Sequence, residues 1–324
     1  MQPTASRRGF LKSALALSVA AVPALRAADQ RAPQFIESLC NFLRLPCGRR
    51  LAYSECGDPR GRDVIINHHG VPNCRLDVLF HRDAIRARPG LRVYTLDRPG
   101  FGLSDPDPEG TFLSWPADVM ALADALRLER FGVMGVSGGG PYALAVARAV
   151  PDRVIAVSLA CPMAPLEAVD TSHSKGAQGA RFALRHPLLA RVALAEYASA
   201  LRNHPDRLPR LARSVGPADF AFLDDPVERG YIVESMHRAF DQGVAGVARG
   251  AAHLALPWAC WLKDVRPKVT IFQGCNDRIV SPAMARYLAA ALPHAEAHFY
   301  PGEGHVSISR RCAADLLAAA LQAG

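Results

Sequence analysis

The sequence predicts an α/β protein: a mostly parallel sheet with helices on both faces and a helical segment inserted late in the chain. Three observations carry that expectation. Short apolar runs alternate with helical patterns over most of the length, as in parallel strands joined by crossover helices. One such run, residues 131–136, has no polar side chain, reverses on a glycine-flanked serine and continues as a helix. Between about residues 162 and 262 the alternation stops, and the pattern is helical and rich in Ala, Arg and Pro.

Taken in order, residues 42–45 and 50–54 are short strands joined by Pro46-Cys47-Gly48, so a hairpin is expected. Residues 64–68 form an apolar strand that runs into His68-His69-Gly70-Val71-Pro72. Residues 76–87 read as a helix closed by Pro89-Gly90, and 91–96 as the next strand. Residues 115–128 are helical, with Val119, Leu122, Ala123 and Leu126 on one face. The serine strand follows, then a helix with Pro141 in its first turn and Tyr142, Leu144, Ala145, Val146 and Ala149 on its apolar side. Residues 154–159 are another buried strand. After the helical interval, strand, helix, strand, helix resumes over 269–273, 283–292, 297–300 and 306–321. The expected organisation is a core over 40–161 and 263–324 with a helical cap over 162–262.

Half of the 324 residues are apolar and 21% are charged, so a sizeable core is expected. The net charge is +8, and four of the positive residues, Arg7, Arg8, Lys12 and Arg26, lie in an acid-free stretch of the first 28. The remaining arginines are scattered with no basic run, so a nucleic-acid partner is not expected. Eight cysteines run from Cys40 to Cys312 without a C-x-x-C, no H-E-x-x-H occurs, and His68 and His69 are adjacent rather than ligand-spaced. No metal site is expected, and the cysteines read mostly as small buried hydrophobes.

Residues 1–28 read as an export signal. Ser6-Arg7-Arg8-Gly9-Phe10-Leu11-Lys12 precedes a weakly apolar stretch over 13–25 and small residues at Ala27 and Ala28. That stretch is shorter than the roughly 20 apolar residues a lone spanning helix needs. The heptad closely resembles a twin-arginine signal, which implies folding before export, a transient encounter with that export machinery, and a periplasmic or secreted destination. Cleavage after Ala24, Ala27 or Ala28 fits equally.

The serine turn reads Gly135-Val136-Ser137-Gly138-Gly139. So sharp a reversal needs glycine two residues before and two after the serine, where a Cβ would clash. It lifts the Ser137 hydroxyl off the sheet and puts the Gly138 N–H at a helix N-terminus, where donors favour developing negative charge. A dinucleotide fingerprint at 138–143 is set aside because no acid ends the next strand, and a P-loop because no Gly-Lys-Ser/Thr follows. A serine nucleophile needs a base within hydrogen-bond reach and a carboxylate to hold the base. In an open parallel sheet such groups lie past the carboxyl ends of strands. Asp277 in Gln273-Gly274-Cys275-Asn276-Asp277 and His305 in Pro301-Gly302-Glu303-Gly304-His305 both follow late strands, giving the order Ser, Asp, His. Glu303 reads as loop structure. A second oxyanion donor is expected from the Val71 N–H, because Pro72 has none. His69 is expected to shape that loop. The Asp97–Asp105 loop is read as structural, with Asp97 and Arg98 as a buried pair tying it down.

Together HHGVP (68–72), DRPGFGLSD (97–105), GVSGGGPYALA (135–145), QGCNDRIVSP (273–282) and PGEGH (301–305) resemble the α/β-hydrolase fold with a lid, from about residue 42 onward except the insertion. The resemblance implies a Ser137–Asp277–His305 triad, an oxyanion hole at Val71 and Gly138, no cofactor, and a small-molecule acyl substrate. It implies hydrolysis of a carboxylic ester or related acyl bond. Acyl transfer, carbon–carbon cleavage or perhydrolysis by the same triad, and a non-catalytic ligand-binding role, are the alternatives. Relatives that dehalogenate or open epoxides use aspartate as nucleophile, from which Ser137 departs. Iminopeptidase relatives usually carry tryptophan after the serine, where this chain has Gly138.

Overall fold

The computed structural model describes residues 36–204 and 216–323, and the expected export signal lies outside them. Eight strands form one sheet in the order β1-β2-β4-β3-β5-β6-β7-β8. β1 (Ile36–Arg44) and β2 (Arg50–Gly57) make the expected antiparallel hairpin, which joins the edge of β4 (Leu91–Leu96). From β4 through β3 (Asp63–His68), β5 (Phe131–Val136), β6 (Val154–Ala160), β7 (Val269–Gly274) and β8 (Ala295–Tyr300) every pairing is parallel. β5 and β7 are buried at every residue, as continuous apolar runs require in a sheet covered on both sides.

The covering helices come from the crossovers. A Cβ built on Gly132 would run into Ala320 O, and one on Gly135 would lie 2.9 Å from Ala143 Cβ. Residues three apart on a strand face opposite ways. So α3 (Gly140–Ala149) covers one face of β5, and the turn that closes α11 (Ala313–Ala319) covers the other. α2 (Trp115–Ala125) buries Trp115, Val119, Leu122 and Ala123 against the same core, and α9 (Pro282–Ala291) buries Met284, Ala285 and Leu288.

Two expected helices differ. Residues 76–87 are a 3-10 turn, Arg75–His81, followed by a short α1, Arg82–Arg86. Tertiary bonds override the helical pattern here. Ser54 Oγ donates to Arg75 O at 2.7 Å, Arg75 N donates to Asp97 Oδ1 at 2.6 Å, and all seven residues of the turn are buried. The helix expected over 306–321 is two, α10 (Ser307–Arg311) and α11, separated at Cys312, whose buried side chain bonds Tyr300 of β8.

Between β6 and β7 the described residues hold five α-helices, α4 (Lys175–Arg185), α5 (Pro187–Asn203), α6 (Pro217–Asp224), α7 (Pro226–Arg238) and α8 (Ala245–His253), and a 3-10 turn, Ala259–Asp264. α4 and α5 turn alanines inward, Ala177, Ala180 and Ala183 from one, Ala190 and Ala198 from the other, which lets helices pack closely. Side chains fasten the segment to the core. Gln242 Nε2 donates to Gly102 O at 3.0 Å and Ser104 O at 2.7 Å, and Arg249 Nη1 donates to Asp107 O at 3.1 Å.

Candidate active site

Ser137 has φ +53°, a left-handed conformation that a non-glycine residue adopts only when its surroundings impose it. They do so through close approach. A Cβ on Gly135 would sit 3.0 Å from Gly139 O, as expected from the turn itself. A Cβ on Gly139 would instead overlap His68 O and His69 O. The second glycine is therefore required by the neighbouring β3 loop rather than by the turn. That loop lies beside the serine because β3 pairs with β5, with His68 opposite Gly135.

The three side chains expected to act together meet at the carboxyl ends of β5, β7 and β8. His305 Nε2 lies 3.1 Å from Ser137 Oγ, and His305 Nδ1 lies 2.7 Å from Asp277 Oδ2. Asp277 is fixed in turn. Its Oδ1 accepts from Ile279 N and Val280 N, both at 2.8 Å, and its Oδ2 also accepts from Gln273 Nε2 at 3.2 Å. Burial lowers the His305 pKa, but the Asp277 charge and hydrogen bond outweigh it and hold the imidazolium well above its ordinary range. Once the pH exceeds that raised pKa, the carboxylate keeps the remaining proton on Nδ1 and the Nε2 lone pair faces the hydroxyl.

Gly138 and Val71 are adjacent. A Cβ on Gly138 would lie 3.0 Å from Val71 Cγ2 and 3.1 Å from Leu254 Cδ1, so Leu254, just past α8, packs beside the residue that follows the serine. Below this loop lies a buried carboxylate that the sequence did not mark. Asp77 accepts from Gly70 N at 3.3 Å and from Asn73 Nδ2 at 2.9 Å. Its burial pushes its pKa up to about 7 against those bonds.

His69 shapes the loop, as expected. Arg98 N donates to its Nε2 at 3.2 Å, so Nδ1 carries the proton and donates to Gly70 O at 2.8 Å. The expected Asp97–Arg98 pair does not form. Asp97 Oδ2 meets Arg75 Nη1 at 2.8 Å and also accepts from Leu103 N, while Arg98 donates through Nη1 to His69 O and through Nη2 to Gly70 O at 2.9 Å. Adjacent residues leaving a strand diverge, and each found a separate partner. Both still tie the loops down. The buried Arg98 guanidinium sits over the rings of Phe101 and Tyr142, 4.8 and 4.6 Å from their centroids.

Asp219, on α6, was also missed. It is fully buried, and its Oδ2 accepts from His305 N at 2.8 Å while its Oδ1 accepts from Val306 N at 2.8 Å and Ser307 N at 3.0 Å. One carboxylate from the inserted segment thus holds the backbone that presents His305. Asp219 follows Gly216-Pro217-Ala218 and reads as an ordinary acid in a helix's first turn.

Cys161, directly after β6, takes φ +41° and donates its thiol to His305 O at 3.3 Å. Its sulfur, an Asp277 oxygen and a His305 ring nitrogen lie within 4.8 Å of one another. Asp277 already accepts four hydrogen bonds, and burial pushes the Cys161 thiol up into its neutral form. A metal would have to break those bonds, so the donor set suits proton transfer better than an ion.

The family model described as alpha/beta hydrolase fold matches residues 63–309. The chain belongs to this family. The chain is 26% identical over 261 residues to the dihydrolipoyllysine-residue acetyltransferase component of the acetoin cleaving system of Cupriavidus necator, covering 80% of this chain and 63% of the relative. It is 36% identical over 128 residues to a non-heme chloroperoxidase of Streptomyces lividans, covering 37% of this chain and 43% of the relative. The chain thus spans less than two thirds of either relative's length. An alpha/beta hydrolase fold protein from Nakamurella multipartita superimposes with a TM-score of 0.63 at 23% identity, over 86% of this chain and 99% of that one, which is a likeness of fold.

Proposed function

We propose that the protein is a serine hydrolase that cleaves a carboxylic ester or related acyl bond through an acyl-enzyme. The observation that carries this reading is the unbroken path from Ser137 Oγ to His305 Nε2 at 3.1 Å and from His305 Nδ1 to Asp277 Oδ2 at 2.7 Å. His305 takes the hydroxyl proton as Ser137 Oγ bonds to the acyl carbon. Asp277 keeps the imidazole in the required tautomer and balances the positive charge it gains. The carbonyl oxygen, now negative, takes hydrogen bonds from the Gly138 and Val71 amides. His305 then protonates the leaving alkoxide; water attacks the acyl-enzyme with His305 again as base, and His305 returns that proton to Ser137 Oγ as the acyl–oxygen bond breaks and the acid leaves. The proton and the electron pairs are handled by these groups alone.

Residues 162–262 act as the lid. Ser137 is 8% exposed, so the lid must shift for substrate to enter. Leu254 and Val71 beside Gly138 favour a small or medium apolar acyl group. Replacing Ser137 by Ala should abolish hydrolysis of short p-nitrophenyl esters and labelling by a fluorophosphonate probe. A Ser137→Ala protein that still labels and turns over would sink the assignment. If the intact protein folds but neither labels nor turns over, the non-catalytic, ligand-binding alternative takes its place.

A second reading keeps the acyl-enzyme and changes the acceptor to an alcohol or a peroxide. The likeness to an acetyltransferase component and to a non-heme chloroperoxidase favours it. Product analysis with water, an alcohol and hydrogen peroxide in competition separates the outcomes. Residues 1–28 support export of the folded chain. Arg7→Lys with Arg8→Lys should leave the protein in the cytoplasmic fraction.

A further inference from the structure

Apolar exposure on this molecule is concentrated. Of eight large hydrophobic residues in the described chain that remain exposed, five lie on α4 and α5: Phe182 at 41%, Leu184 at 43%, Leu188 at 73%, Leu189 at 58% and Val192 at 61%. Pro187 starts α5 directly after His186, so the two helices form an elbow, and the Phe182 and His186 rings meet across it with centroids 5.4 Å apart. The inner sides of both helices are already spent on the protein, through Ala177, Ala180 and Ala183 from α4 and Ala190, Ala198 and Leu201 from α5. Leu188, Val192 and Ala195 follow one another at helical spacing on the outer side of α5. A soluble surface gains nothing from such a face, and contiguous apolar patches of this kind mark interaction sites.

The charge around the face is one-sided. Residues 175–203 carry Lys175, Arg181, Arg185, Arg191 and Arg202 against the single acid Glu196. Arg181 is turned inward onto Leu166 O and Thr171 Oγ1. Arg185 and Arg191 are exposed, flank the leucines, and have no carboxylate within ion-pair reach among the described residues. Apolar residues flanked by arginines match the boundary between lipid headgroups and acyl chains, where apolar side chains enter and the cations meet anionic headgroups. No described helix is long and apolar enough to cross a membrane, so contact would be at the surface.

We infer that the α4–α5 elbow is a docking surface for a bilayer carrying anionic lipid, seated through Leu184, Leu188, Leu189 and Val192 and held by Arg185 and Arg191. The inference does not depend on the hydrolytic reading. The elbow belongs to the same inserted segment that covers Ser137, so docking would bring a lipid surface to the element that must move.

The test uses the full chain with vesicles of phosphatidylcholine alone and of phosphatidylcholine with about a third phosphatidylglycerol. Residues 1–35 contain a basic and apolar stretch of their own. The deciding readouts are therefore local: amide hydrogen exchange over 182–192, and the difference made by variants of the elbow. The anionic vesicles should slow exchange over 182–192, and the neutral ones should not. Arg185→Glu with Arg191→Glu should weaken partitioning on the order of thirtyfold at low salt. Leu188→Asp with Val192→Asp should weaken it at low and high salt alike. Both variants should hydrolyse a water-soluble ester at the unaltered rate, which checks that they fold. If the intact protein shows no hydrolysis, their circular dichroism and melting make the same check. Unchanged exchange over 182–192 with vesicles overturns the proposal. So does a dimer in light scattering that Leu188→Asp disperses, since a second copy would then own the face.

Discussion

At the scale of single residues, the proposed triad makes the imidazole of His305 the group that sets the pH dependence. A protonated ring cannot take the serine proton, so activity should fall as pH drops through its pKa. Asp277 holds that pKa above 6.5, so the acid limb of kcat/KM should lie above pH 6.5. Asp277→Asn removes the charge that raises it and frees the wrong tautomer. That variant should lose roughly 10⁴-fold in kcat, and its residual activity should show a limb displaced to lower pH. An acid limb that stays in place would mean another group sets it. That these three side chains converge was legible in the sequence because each sits in a glycine-bearing turn directly after an apolar run, and the strand pattern alone orders those turns. Asp219 was not legible. Its partner lies 86 residues away, and nothing local separates a carboxylate that binds a distant loop from one that caps its own helix. The pairing of Asp97 failed for the same reason, since the guanidinium it meets is 22 residues back rather than next door.

At the scale of elements, α6 of the inserted segment and the loop before α10 are joined by one carboxylate. Its two oxygens do different work, and substitution can separate them. Asp219→Asn can keep an acceptor for Val306 N and Ser307 N, but its amide nitrogen then faces the His305 N–H. Asp219→Ala leaves all three donors without their partner. Each buried donor left unpaired costs about 1–3 kcal/mol. The alanine variant should show the larger drop in denaturation midpoint. Both variants should lose kcat by roughly tenfold or more while KM moves little, because the ring shifts and the pocket does not. An unchanged kcat in both would show that the bond holds the fold and not the ring. Most strands followed from their apolar runs, and the helical character of the 162–262 interval from the stop in that alternation. The 75–81 turn did not, because hydrogen bonds with Ser54 as donor and Asp97 as acceptor decide its backbone and no local pattern encodes them.

At the scale of the whole molecule, Ser137 and its hydrogen-bond partners belong to parts of unequal security. β5 is flanked by β3 and β6 and buried throughout, whereas β8 is paired with β7 alone and alternates between half-buried and exposed residues. Fluorophosphonate modification, which should quiet the site, is expected to slow amide exchange in 217–224 and 305–307 together, since Asp219 links them. Independent change in the two stretches would count against the link. The border position of β8 has a practical outcome as well. Rims of a sheet fray before its middle does. In rising urea the protein should fall silent while its tryptophan fluorescence still reports an intact interior, and dilution should restore turnover at once. Catalysis here would then be switched off by a local loosening long before the molecule is lost.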